Sequence, residues 1–205
     1  MKHLFSTLAM MLTLILPVTS CASNNHKEEQ NMKMKKVLVT FFSRTGENYA
    51  VGHIEKGNTH IIAEMIAKET GGDLFQIEPA IPYPEDYTSC TEIAQQEKAR
   101  NARPDIIGDR AIDNYDVIFI GYPNWWGDLP MPVYSFIEKH DWQGKTIVPF
   151  CTHEGSGLGN TESRLKKVCK GASLLHGLAV RGTTAQNNQA LAKQQVTTWI
   201  QNLNY

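Results

Sequence analysis

The chain has 205 residues, 41% of them hydrophobic and 20% charged, and a formal net charge of −1. That length builds one domain with a real core, and near-neutrality excludes a general affinity for nucleic acid. The cysteines show neither a CxxC pair nor a His/Cys metal spacing.

The first residues differ from the rest. Met1-Lys2-His3 is a short positive start, and Leu4 to Pro17 is apolar apart from Ser6, Thr7 and Thr13. The run is too short to cross a bilayer and reads as an export signal. It ends in "LPVTSC", which resembles the lipobox of bacterial lipoproteins, in which the cysteine becomes the acylated first residue. The alternative is an ordinary signal peptide cleaved near Ala22. The lipobox resemblance implies a lipoprotein signal peptide over 1–21 and a lipid on Cys21. Residues 22–35 then form a polar, flexible tether, and the chain is exported and membrane-anchored at the bacterial cell envelope. The folded domain is 36–205. Cys90, Cys151 and Cys169 remain in it, an odd number that leaves at least one thiol unpaired; they read as structural thiols.

Val37 to Phe42 is a continuous apolar run with one Thr, as suits a strand buried on both faces. Asn58 to Thr70 sets Ile61, Ile62, Met65 and Ile66 at helical spacing before Gly71-Gly72. Leu74 to Ile77 reads as a short strand, "PAIPYPEDY" as a proline-broken loop, and Glu85 to Ala102 as a polar helix. Val117 to Ile120 is a strand and Val133 to Lys139 a short helix. Thr146 to Cys151 is a strand in which Pro149 predicts a local bulge. Glu162 to Lys170 is a helix, Leu174 to Val180 the last strand, and Asn187 to Asn202 the last helix, with Ala192, Val196, Trp199 and Leu203 as its seam. Alternating strands and helices predict a parallel sheet covered on both faces. Ligands of such sheets bind beyond the carboxyl ends of the strands, where strand order reverses.

Three loops stand at such ends. After the first strand come Ser43-Arg44-Thr45-Gly46-Glu47-Asn48 and then, at the helix start, Gly57-Asn58-Thr59. Ser43, Thr45, Asn48, Asn58 and Thr59 offer hydroxyls and amides, and the helix start adds free N–H groups and positive potential. The reading is an anion site or plain helix capping, with Arg44 an added cation or a surface residue. Neither a Walker ending nor GxGxxG is present. After the third strand comes "GYPNWWGDLPMP", where Pro123, Asn124, Trp125, Trp126 and Gly127 form a loop that sets one indole on a flat ligand and packs the other inward. After the fourth comes "CTHEGSGLGN", in which Thr152, His153, Glu154, Gly155, Ser156 and Gly157 offer main-chain groups to a ring edge.

These stretches carry a resemblance that runs from about Lys36 to the C-terminus. The chain resembles flavodoxins, and more closely bacterial flavodoxin-like proteins with "GYP-x-WW" (Gly121 to Trp126) and "PFCTH-x-GSG" (Pro149 to Gly157) motifs. The resemblance implies a three-layer αβα fold with a five-stranded parallel sheet of order 2-1-3-4-5, and FMN as ligand. It also explains the divided first loop. Thr45-Gly46 and Asn58-Thr59 look like the two halves of a Thr-Gly-Asn-Thr phosphate loop, with twelve residues, Gly46 to Gly57, between Thr45 and Asn58, a modest entropic cost at the surface. Tyr49, His53 and Ile54 of the excursion then cover the phosphate or a partner. Asp128 and Glu154 near the flavin would lower its potential, backbone groups of Asn124 to Gly127 would meet its N5, and His153 is a candidate proton donor or a solvated loop residue.

The implied function is electron transfer by an FMN-binding protein at the envelope, with a redox partner protein or a small electron acceptor. Flavodoxin shuttles are typically acidic and this chain is not, which keeps an FMN-dependent NAD(P)H:quinone-type oxidoreductase as the alternative. A non-catalytic surface lipoprotein is a third.

Overall fold

Every residue of β1 (Val37–Phe41) is buried, and its side chains divide between two cores. Leu38 joins one, while Val37, Val39 and Phe41 join the other, the alternation that a strand covered on both faces requires. In the computed structural model, which describes residues 35–205, this strand is the axis of the fold. The predicted signal peptide, Cys21 and nearly all of the tether lie outside the described residues.

After β1 the chain makes a small antiparallel hairpin, β2 (Gly46–Asn48) and β3 (Gly52–Ile54), then enters α1 (Asn58–Thr70). β4 (Asp73–Gln76) pairs parallel with β1. β5 (Glu78–Pro79) pairs antiparallel with β6 (Ile106–Ile107), and α2 (Tyr87–Ala99) lies between them in sequence. β7 (Val117–Pro123) returns to the other side of β1. It is followed by α3 (Met131–Ile137), β8 (Thr146–His153), α4 (Thr161–Val168), β9 (Ser173–Leu174) and β10 (Leu178–Arg181). The chain ends with α5 (Gly182–Asn187) and α6 (Gln189–Gln201).

The main sheet runs β4-β1-β7-β8, with β9 and β10 both parallel to β8. This is the predicted 2-1-3-4-5 order with its fifth strand in two pieces. One core holds Ile62 and Ile66 of α1 and Ala192, Val196 and Trp199 of α6 against Phe119, Val148 and Phe150. The other holds Phe136 and Ile137 of α3 and Leu165 of α4 against Ile118, Ile120 and Ile147. A fully buried isoleucine such as Ile62 or Ile66 contributes roughly 1.5–3 kcal/mol, so these seams fix which face each helix presents.

Three expectations need correction. Pro149 makes no bulge: β8 pairs with β7 in unbroken register from Thr146 to Thr152. Alternate β8 residues face opposite neighbours. The Ile147 carbonyl accepts from Leu175 N on the β9–β10 side, and the Thr152 carbonyl accepts from Asn124 N on the β7 side. Pro149 therefore turns its missing N–H toward β9–β10, where residues 175–177 leave the sheet and Gly177 passes close to the ring. That detour also divides the predicted last strand. The predicted last helix is interrupted at Asn188, which is non-helical (φ −144°, ψ 67°) and whose side chain accepts from Leu191 N to start α6.

β1→β4 and β4→β7 leave β1 on opposite sides, so the switch in strand order falls between β1 and β7. The crevice beyond Phe41 and Pro123 is where a ligand is expected.

Candidate ligand-binding site

A cavity of about 290 Å³ opens in that crevice. All three sequence-predicted loops reach it, each in part.

From the first loop come Arg44, Asn48 and Asn58. The two halves of the loop are pinched together: a side chain at Gly57 would come within 2.2 Å of Ser43 Oγ and 2.5 Å of the Arg44 carbonyl oxygen. Only glycine allows that approach. Gly57 itself provides no side-chain cap for α1. Ser43 does so from across the hairpin, its Oγ accepting from His60 N at 3.1 Å, and Ile61 N donates to the Gly57 carbonyl. The amides of Asn58 and Thr59, the first two of the helix, are left pointing out of its N-terminus, as helix geometry dictates.

Several residues of this loop do other work. Ser43 is the capping residue just described, and Thr45 is exposed; neither lines the cavity. Thr59 is buried beneath it and shares a 2.8 Å hydrogen bond with the Thr152 hydroxyl. Arg44 is in the wall, but its guanidinium donates to the carbonyls of Glu47, Pro84, Glu85 and Asp86.

From the second loop come Pro123, Asn124, Trp125 and Trp126. Trp125 packs inward, edge-on to Phe42 and Tyr83 with ring centroids 5.2 and 5.1 Å away. Trp126 is 51% exposed at the mouth. The two-residue turn Trp126-Gly127 lies between Trp125 and Asp128, which exchange both backbone hydrogen bonds. Both turn residues have positive φ, 57° and 74°, the primed hairpin geometry that favours Asn or Gly over a bulky residue. Gly127 makes the turn and stands outside the cavity wall. Asp128 also faces away: buried, it accepts from Tyr134 Oη and Leu129 N, with Arg164 Nε 3.7 Å away. It does not line the cavity.

From the third loop come Thr152, His153 and Glu154. The first two belong to β8, which runs further than predicted. Gly155 and Ser156 are exposed, and the Gly157 carbonyl turns inward to accept from Asn124 Nδ2 at 2.7 Å and Cys151 Sγ at 3.2 Å. Gly155, Ser156 and Gly157 therefore shape the loop without lining the cavity. His153 Nδ1 accepts from Gly155 N at 2.8 Å, so the neutral ring carries its proton on Nε2. Burial, aided by Arg181, holds its pKa below the usual histidine range. Glu154 accepts from Thr183 N and Oγ1, and Arg181 Nη1 is 3.8 Å away. Those partners offset its charge beside the α1 start.

The fourth wall was not anticipated. Tyr87, Cys90, Thr91 and Ala94 of α2 line the cavity, and Trp126 Nε1 donates to the Thr91 carbonyl at 3.3 Å. The signal was present as a stripe of aromatic and small residues at helical spacing on an otherwise polar helix. The hairpin tip adds Tyr49, whose ring lies 6.2 Å from that of Tyr87. Ile54 of the hairpin is buried, and His53 is exposed beside Glu55, so Tyr49 alone of the excursion residues singled out reaches the cavity. Cys90, Cys151 and Cys169 are free and buried; burial pushes the latter two thiols up to about 12.

The family described as Flavodoxin matches residues 36–203. A crystal structure of a candidate flavoprotein from Bacteroides eggerthii DSM 20697 is 32% identical, with a TM-score of 0.64 over 82% of this chain and 96% of that one. A second, from Bacteroides uniformis ATCC 8492, is 28% identical with a TM-score of 0.64 over 82% and 99%. A flavoprotein from Lactobacillus acidophilus NCFM, solved in complex with FMN, is 23% identical with a TM-score of 0.56 over 73% and 95%, a likeness of fold. No protein of curated function gives a significant match.

Proposed function

The chain belongs to the flavodoxin family, and from that membership we propose that it binds FMN and carries electrons at the bacterial cell envelope. One observation carries the reading: a single cavity joins the free amides of a helix start to aromatic walls. The Asn58 and Thr59 amides suit the phosphate. Trp125, Trp126, Tyr49 and Tyr87 suit a flat ring. Asn124 Oδ1, buried beside the cavity with no protein partner, is an acceptor that a ligand N–H would satisfy.

FMN supplies the redox chemistry when bound, and the protein supplies binding and orientation. Asn58 and Thr59, at the start of α1, would hold the charged tail through their main-chain amides. Trp126 and Trp125 would flank the ring from one wall and α2 from the other, and His153, also in the wall, carries its proton on Nε2. The lipid on Cys21 keeps the domain at the membrane, and its partner is a redox protein or a small electron acceptor.

The test is to purify the full chain in detergent, add FMN and record the visible spectrum after gel filtration. Flavin bands eluting with the protein support the reading. A folded protein that elutes colourless and leaves FMN fluorescence unquenched is instead the non-catalytic lipoprotein.

Two observations favour a second reading, an FMN-dependent NAD(P)H:quinone-type oxidoreductase: the near-neutral charge and the exposed aromatic mouth of the cavity. Anaerobic mixing of the FMN-loaded chain with NADH and with NADPH separates the two. A carrier is not reduced rapidly by either; fast, saturable bleaching of the flavin band establishes the oxidoreductase.

A further inference from the structure

Arg44 is the residue whose expected and observed roles differ most. It sits in the divided phosphate loop, where a cation is expected to meet an anion. Its guanidinium is already engaged. Nη2 donates to the carbonyls of Pro84, Glu85 and Asp86 at 2.6, 2.5 and 3.3 Å, Nε donates to Pro84 at 3.2 Å, and Nη1 donates to the Glu47 carbonyl.

These carbonyls belong to two separate segments. Glu47 is in β2, two residues before Tyr49 at the hairpin tip. Asp86 is the N-cap of α2, one residue before Tyr87. The segments also touch directly: Glu47 N donates to the Glu85 carbonyl at 2.9 Å, and a side chain at Gly46 would lie 3.0 Å from the Glu85 backbone. One planar, five-donor group thus bridges the hairpin and the entrance of α2, a task for which lysine lacks the fork.

The bridge has a visible product. Among the described residues, the exposed large aromatic side chains are Tyr49 (64%), Tyr87 (39%) and Trp126 (51%), and all three line the one cavity. The first two lie just beyond the segments whose carbonyls Arg44 holds: Tyr49 is two residues after Glu47, and Tyr87 is next to Asp86.

We propose that Arg44 is a positioning residue: it assembles the Tyr49–Tyr87 pair into the outer wall of the ring site and does not bind the phosphate. This assignment rests on the FMN reading for its consequence and on the hydrogen bonds for its cause. An arginine serving the phosphate would favour FMN over riboflavin, which lacks the phosphate. An arginine serving the aromatic wall would favour both alike.

The test uses the full chain, with Arg44→Met and Arg44→Lys, and begins without ligand. Hydrogen exchange should accelerate about tenfold or more at residues 46–54 and at Ser89 and Cys90, whose amides donate to Asp86, together in both variants, while 117–123 and 146–153 stay protected. Loss confined to one segment, no change in either, or global loss overturns the bridge. With ligand, Arg44→Met should weaken FMN and riboflavin by the same factor, about threefold to tenfold. In a Tyr49→Ala/Tyr87→Ala background, Arg44→Met should add nothing further. A selective loss of FMN, or a full additional loss in that background, overturns the assignment. If the parent binds no flavin, the functional reading falls and the exchange experiment alone decides the role of Arg44.

Discussion

The hydroxyls of Thr59 and Thr152 lie 2.8 Å apart, both buried, and join the start of α1 to the end of β8. A residue that the sequence offers as a phosphate ligand is thus part of the floor beneath the site. Removing one hydroxyl strands the other away from water, at a cost of about 1–3 kcal/mol. Thr59→Ala should lower the denaturation midpoint accordingly, Thr59→Ser should restore it, and Thr59→Ala with Thr152→Ala should cost less than the sum of the two. Additive losses would show that the pair does not share a bond.

Trp126 occupies a left-handed position, φ 57°, half exposed. A non-glycine residue there is strained by about 1–2 kcal/mol, and strain at a cavity mouth points to use. Trp126→Gly should leave stability unchanged or raise it by up to about 1 kcal/mol, while weakening FMN roughly fivefold to tenfold. Equal FMN affinity in parent and variant would remove the indole from the ligand.

His153 and His60 both titrate below the ordinary value of 6.5, chiefly because burial disfavours the charged ring. In the window below 6.5 the unfolded chain binds more protons than the folded one, so stability rises with pH there. Their contribution is complete above about 6.5 and falls away as the solution is acidified. Protonating His153 at Nδ1 also breaks its bond from Gly155 N. Denaturant midpoints from pH 7.5 down to 5.5 should decline in the parent and decline less steeply in His153→Asn.

How far the sequence discloses this molecule depends on how far each feature is local. Val37 to Phe42 and Asn58 to Thr70 are legible because burial imposes a period, and the observed elements match them within a residue. The last strand is not, because its break answers Pro149 on another strand. The α2 wall escapes notice because Tyr87, Cys90, Thr91 and Ala94 sit among polar residues, where a stripe that faces a cavity looks like an ordinary helix face. Hydroxyl groups are the hardest case. Ser43 and Thr59 are of the right type for an anion, yet Ser43 goes to His60 N and Thr59 to Thr152. Composition gives the polar groups, and only packing says which partners they take.

The proposed attachment to the membrane rests on Cys21, outside the described residues, whose thiol the lipobox chemistry needs. Cys21→Ser should release the protein into the soluble fraction or leave it unprocessed, as followed by ultracentrifugation and mass spectrometry. A variant that sediments with membranes as the parent does would exclude the lipid anchor.

The hairpin of β2 and β3 leaves the first loop after Arg44 and returns to it at Gly57, where an added Cβ would come within 2.2 Å of Ser43 Oγ and 2.5 Å of the Arg44 carbonyl oxygen. A segment whose ends already meet transmits little of its own length to the site it interrupts. Its tip, around Ala50, is therefore a port: a fluorophore, an affinity tag or a foreign loop placed there would ride beside the cavity mouth without stretching the cradle below. The same geometry lets the hairpin tip acquire new recognition while Ser43, Arg44 and Gly57 stay in place below it.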